Sequence, residues 1–143
     1  MIKELNKYLA NLNVLNIKLH NLHWNIIGKQ FVAVHEYFES EYDKAFERID
    51  QIAEVIKMEG DYPIASLKEY LENASIKELD ESKDIKIEES LEIFLNDIKN
   101  LRKDAYSIRE KASEIDNFSV SNIMEEYIED YNKQIWFIES MLK

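Results

Sequence analysis

Only three residues in this chain, Gly28, Gly60 and Pro63, belong to the two types that most readily interrupt regular structure. Hairpins and sandwich loops need such residues every few positions, because tight turns demand positive φ or a fixed φ. A chain of 143 residues with two Gly and one Pro therefore reads as long helices with few connections. Hydrophobic residues make up 45% of it, enough to furnish a core for one ordinary domain over residues 1–143.

The apolar spacing divides the chain. Leu5, Leu9, Leu12, Leu15 or Asn16, and Leu19 recur at helical intervals and predict a first helix over 2–27. Gly28-Lys29-Gln30 breaks it. A second helix is predicted over 31–59, with Phe38, Tyr42, Ala45, Ile49, Ile52, Val55 and Ile56 on one stripe; Gly60 and Pro63 end it. In the weaker stretch that follows, SLKEYLENA predicts a short helix with Ser66 as N-cap. Leu91, Phe94, Leu95, Ile98, Leu101, Ala105 and Ile108 carry a helix over 87–114. Ile123, Tyr127, Tyr131, Ile135 and Ile138 carry a last one over 120–142, after a turn at 116–119. Two helical hairpins joined by a long connection make an all-α four-helix bundle with a crossover.

Charge and composition exclude several functions. The formal net charge is −11, which repels phosphate backbones and anionic membranes and attracts cations. No basic arm offsets it: the first twelve residues hold only Lys3 and Lys7, the last seven only Lys143. No apolar run approaches the ~20 residues of a membrane span, and the amphipathic start has no signal-peptide core. Cysteine is absent, so disulfides are excluded, and a cytoplasmic location is expected.

All three histidines lie in the stretch HNLHWNIIGKQFVAVHE. His23 and His35 stand six residues either side of Lys29, so an antiparallel hairpin brings them side by side. Paired imidazoles suit divalent iron, zinc or copper. Glu39, one turn after His35, is their near neighbour. Asp50 and Glu54 form a further i, i+4 pair, but Asp50 lies about 22 Å from His35 along a continuous helix at ~1.5 Å per residue. A second chain closes that gap. If two copies of the second helix cross antiparallel about an axis between Tyr42 and Asp43, position 35 of one faces position 50 of the other. Each of two equivalent sites then takes His23, His35 and Glu39 from one subunit and Asp50 and Glu54 from its mate.

Spacing alone leaves a metal site and an ordinary solvated helix face both open. No histidine follows a Glu by three residues (Ile17, His20 and Val32 hold those places), which disfavours a di-metal site buried inside one bundle. His20 reads as a structural residue or a support to the site. Trp24 reads as a core or interface residue.

The segments LHNLHWNIIGKQFVAVHEYFE and DQIAEVI resemble the Dps family of mini-ferritins. His-Trp-Asn, Val-His-Glu and Asp-x-x-Ala-Glu stand at the family's intervals, and the Tyr-Pro connection and the closing WFIES extend the likeness over nearly the whole chain. The resemblance implies a ferritin-like bundle assembled into a hollow dodecamer with ferroxidase centres at its two-fold interfaces. It implies His23, His35 and Glu39 as ligands from one subunit, with Glu39 where many relatives have Asp, and Asp50 and Glu54 from the partner. Ferrous iron would be oxidised, preferentially by hydrogen peroxide, and stored as ferric mineral, with zinc an alternative occupant of the site. Trp24, beside His23, would supply an electron. Asp116, Glu125, Glu126, Glu129 and Asp130 would line pores for iron entry, as that region does in relatives. Relatives that bind DNA use lysine-rich tails; this acidic chain has none, so no appreciable direct DNA binding is expected. The alternative is a non-catalytic acidic scaffold.

Overall fold

Turn chemistry sets the helix ends in the computed structural model, which describes residues 1–143. Five helices form: α1 (Ile2–Asn25), α2 (Phe31–Met58), α3 (Leu67–Asn73), α4 (Ile87–Glu114) and α5 (Phe118–Leu142). After α2, Gly60 adopts φ +85°, and the Gly60 and Asp61 amides donate to the Lys57 and Ile56 carbonyls, satisfying the last turn. The same wrap closes α4 without a glycine: Asp116 takes φ 59°, and Asn117 N donates to Ala112 O at 2.8 Å. Ser66 caps α3, its Oγ accepting from the Glu69 amide at 3.2 Å and donating to the Glu69 carboxylate at 2.9 Å.

Helix α2 ends at Met58, one residue short of the sequence reading, and two other ends differ from it by two residues. The first helix stops at Asn25 because Ile26 and Ile27 go extended as β1 and pair in parallel with Ile85 and Lys86, strand β2. Helix α5 starts at Phe118, two residues early, because the Asn117 side chain accepts from Val120 N at 3.2 Å. Phe118 and Ser119 thereby join the first turn.

Helices α1 and α2 pack as one hairpin, α4 and α5 as a second, and α3 lies against α1. Thirty-one buried apolar side chains form one continuous cluster between them. Leu5, Leu9, Leu12, Leu15 and Leu19 are all in it, as their spacing predicts, while Asn16 is half-buried and donates to the Tyr42 carbonyl at 2.8 Å. The crossover is tied to α1 by asparagines. Asn11 Oδ1 accepts from the Ser75 and Ile76 amides at 2.8 and 3.0 Å, and Asn6 Oδ1 from Ile64 N at 2.9 Å. No helix is long and apolar enough to cross a membrane.

One ion pair lies inside this frame. Lys18 Nζ of α1 sits 2.7 Å from Asp97 Oδ2 of α4, and the two side chains are only 8% and 6% exposed. Burial pushes the Asp97 carboxyl up, and the Lys18 ammonium pulls it down. Removing one partner strands the other charge, whereas an apolar pair of similar volume costs little. Lys18→Met is therefore expected to lower stability by about 3–5 kcal/mol. Lys18→Met combined with Asp97→Leu should regain most of that loss in chemical denaturation followed by circular dichroism.

Candidate metal centre

His23 closes the last turn of α1 and His35 lies in the first turns of α2. Between them the chain reverses over Gly28 at φ +130° and Gln30 at φ 71°. The reversal stacks the two imidazoles with centroids 3.6 Å apart and planes 12° from parallel. Each ring then reaches across to the opposite backbone: His23 Nδ1 lies 2.7 Å from the His35 carbonyl, and His35 Nδ1 lies 2.7 Å from the His23 carbonyl. A carbonyl only accepts, so each Nδ1 carries the proton and donates. Each Nε2 is left with a free lone pair. This backbone anchoring is how ligating histidines are commonly oriented.

Glu39 lies beside this pair. Its Oε1 stands 3.8 Å from His23 Nε2 and 3.5 Å from the Tyr42 hydroxyl. Tyr42 meets the His23 ring edge-on at 5.2 Å, and Phe31 stacks over His35 at 5.0 Å. Asp50 and Glu54 are exposed farther along α2, which runs unbroken from Phe31 to Met58. No three His, Asp or Glu side chains of a single chain converge as a group able to hold a metal ion. The fold thus stacks His23 on His35 and sets Glu39 3.8 Å from His23 Nε2 without closing the three into a metal-holding group, and it leaves Asp50 and Glu54 farther along α2.

His20 does not extend the His23 pair. Its Nδ1 donates to the Asn16 carbonyl at 2.7 Å, and its ring stacks on Tyr42 at 3.8 Å, with Trp24 tilted against it at 5.5 Å. Trp24 is not a core residue: it is 66% exposed.

The five acids grouped as pore residues have different surroundings within the chain. Asp130 turns in toward α2, where it accepts from Lys44 at 3.0 Å, Arg48 at 2.8 Å and Gln134 at 3.0 Å. Glu125 pairs with Arg109 at 2.8 Å, Asp116 sits in the left-handed turn before α5, and Glu126 and Glu129 are exposed. The Asp130 cluster belongs to a polar layer that spacing did not reveal. Arg48 lies over the Tyr127 ring at 4.3 Å, Tyr37 donates to Gln134 at 2.7 Å, and Tyr8 hydrogen-bonds Tyr131 deep in the core. Its only signal in the sequence was the phenol repeat Tyr127–Tyr131 on the buried side of α5.

The chain matches the ferritin-like domain family over residues 2–143. It is 35% identical to the DNA protection during starvation protein of Brevibacillus brevis over 139 residues, covering 97% of this chain and 92% of the relative. The chain belongs to the Dps family of ferritin-like proteins. Among solved Dps-like structures, antigen TpF1 of Treponema pallidum superposes with a TM-score of 0.97 at 34% identity, covering 99% of this chain and 90% of that one. A Vibrio cholerae Dps, described as a member of a broad superfamily of ferritin-like diiron-carboxylate proteins, gives a TM-score of 0.94 at 32% identity, covering 99% and 88%. The all-α ferritin-like bundle expected from spacing and resemblance is thus the fold of this Dps chain.

Asp130 offers a measurable contrast with its neighbour Glu126. Burial pushes its carboxyl up, but hydrogen bonds from Gln134 and Lys44 and the Arg48 charge outweigh that and hold it below the usual range. A lowered folded pKa contributes stability above the unfolded value and loses it as pH falls. Asp130→Asn should cost roughly 2–3 kcal/mol near neutrality, the scale of hydrogen bonds to charged groups. The deficit should shrink as pH falls below about 4. Glu126→Gln should leave the thermal midpoint unchanged across that range.

Proposed function

We propose that this Dps protein is a ferroxidase and iron store, a single ferritin-like domain that works as a cytoplasmic homo-oligomeric shell, a dodecamer built from two-fold dimers. The observation that carries this reading is the reciprocal clamp between His23 and His35. It deprives both Nδ1 atoms of any other role and leaves both Nε2 atoms free, that of His23 3.8 Å from the Glu39 carboxylate. Two imidazoles and a carboxylate are a fit but incomplete donor set for ferrous iron.

Asp50 and Glu54 of a neighbouring subunit complete it. Antiparallel pairing of two α2 helices about Tyr42 and Asp43 delivers them to the histidine end of the first chain. Two large apolar side chains support an interface on this side of the bundle: Phe46, one turn beyond Tyr42, is 70% exposed, and Trp24 is 66% exposed. Carboxylate oxygens favour ferric iron and imidazoles favour ferrous, so the mixed set binds the substrate and still permits its oxidation. Hydrogen peroxide is the oxidant in this reading. Two ferrous ions each give up one electron, the O–O bond breaks, and two protons complete two hydroxide ions to water. Paired electron delivery avoids release of hydroxyl radical, and ferric product passes to the cavity as mineral. Zinc competes for the same nitrogen and oxygen donors.

DNA is then protected by chemistry rather than by contact. A chain of net charge −11 does not hold a phosphate backbone by electrostatics, so iron and peroxide removal carries the protection named in its relatives.

Subunit mixing tests the shared site. His35→Ala and Asp50→Asn each abolish rapid ferrous oxidation by peroxide in homogeneous shells. When the two variants are unfolded, mixed in equal amounts and reassembled, mixed dimers hold one intact site of two. About a quarter of all sites, the share fixed by two-fold symmetry, should regain activity in stopped-flow absorbance. No recovery would mean that the two residues do not serve one site from different chains. No ferrous binding by the wild-type shell would leave an acidic scaffold.

A further inference from the structure

The ring of Tyr42 is held on more than one side next to the proposed iron ligands. Its face lies on the His20 imidazole, centroids 3.8 Å apart and planes 19° from parallel, and it meets the His23 ring edge-on at 5.2 Å. His20 is itself anchored, its Nδ1 donating to the Asn16 carbonyl at 2.7 Å. Asn16 in turn donates from Nδ2 to the backbone carbonyl of Tyr42 at 2.8 Å. Asn16, His20 and Tyr42 thus close a loop between α1 and α2 in which both the backbone and the ring of Tyr42 are located. The hydroxyl of that phenol hydrogen-bonds Glu39, whose Oε1 is 3.5 Å away.

Glu39 needs such a partner. Its side chain is 53% exposed, with no cation closer than the His23 ring. A glutamate free to sample its rotamers loses that freedom when it binds a metal. The phenol hydroxyl, one helical turn away, and His23 Nε2 both stand nearest the same oxygen, Oε1, at 3.5 and 3.8 Å, so a bond donated by the phenol holds the carboxylate beside His23 and leaves the lone pairs of Oε2 free for a metal. A small change of the Glu39 side chain brings the 3.5 Å contact into the ~2.7 Å range of an O–H···O bond to a carboxylate.

We propose that Tyr42 is a positioning residue that seats the Glu39 carboxylate for metal binding, with His20 as the stacked support that fixes the phenol. The proposal rests on the reading of His23, His35 and Glu39 as ligands. It gives the third histidine of the cluster a use without making it a ligand. It also suits the longer arm of Glu39, because an aspartate at this position would fall short of the hydroxyl.

Co2+ alone, titrated anaerobically into the intact shell, provides the test, since its visible absorption reports the number and type of ligands. Tyr42→Phe keeps the ring, the stack and the particle mass and removes only the hydroxyl. Its Co2+ affinity should fall about ten-fold, the lower end of what loss of an orienting partner costs a metal site. Its spectrum should shift toward that of Glu39→Gln, and adding Tyr42→Phe to Glu39→Gln should cause no further change. Wild-type affinity and spectrum in Tyr42→Phe, with binding still lost in His23→Ala, would overturn this inference alone. Full additivity of the two substitutions would overturn it as well. Absence of Co2+ binding in the wild-type shell would overturn the ligand assignment and this inference together.

Discussion

The exchange of hydrogen bonds between His23 and His35 is the interaction on which the rest of this site depends. Each imidazole is held by the main chain of the other's helix, so ring orientation and helix pairing are one constraint. The α1–α2 turn cannot shift by a residue without breaking both bonds. Nor can either ring flip without placing its proton on the wrong nitrogen. The hairpin that carries the fold's first half is thereby also the device that selects a tautomer. The placement of Glu39, Tyr42 and the exposed acids farther along α2 follows from where that turn fixes the helix.

A second constraint acts between α2 and α5, on the other flank of the bundle. These helices meet through long polar side chains more than through close apolar packing. Lys44 and Arg48 converge on Asp130, Tyr37 reaches Gln134, and Tyr127 reaches Gln51. Buried phenols and charges of this kind are tolerable because nearly every one has a partner. Glu41 shows the cost: burial pushes its carboxyl up, and Lys44 at 2.7 Å pulls it back. The layer keeps two helices apart at a set distance, which a purely aliphatic seam would not define.

Much of this was legible in the residues. The leucine ladder of α1, the Ser66 cap, the Gly60 stop and the limits of α4 are local signals, and each stands where the spacing put it. The pairing of His23 with His35 was legible because equidistance from a turn is a geometric fact about hairpins. Signals that depend on the far side of the molecule were not legible. The parallel pairing that ends α1 early requires Ile85, some sixty residues on, and two residues carry no periodicity. Asp130 reads in the sequence as one more acid in an acidic stretch, and only Lys44 and Arg48 on another helix reveal its direction. His20 had no sequence partner because its partner is the face of Tyr42. Of the two readings open for Trp24, core or interface, its exposure removes the first.

The β1–β2 ladder has a consequence for the order in which the chain assembles. Closing a loop costs more entropy as the loop lengthens, and the histidine clamp spans twelve residues while the ladder joins Ile26 to Ile85. The α1–α2 hairpin with its stacked imidazoles is the local unit and can form as soon as residue 58 is available. The ladder, Asn6 and Asn11 then act as the latch that draws the crossover over a finished hairpin and seats α4. In that order, the stacked pair of His23 and His35 depends only on the first half of the chain.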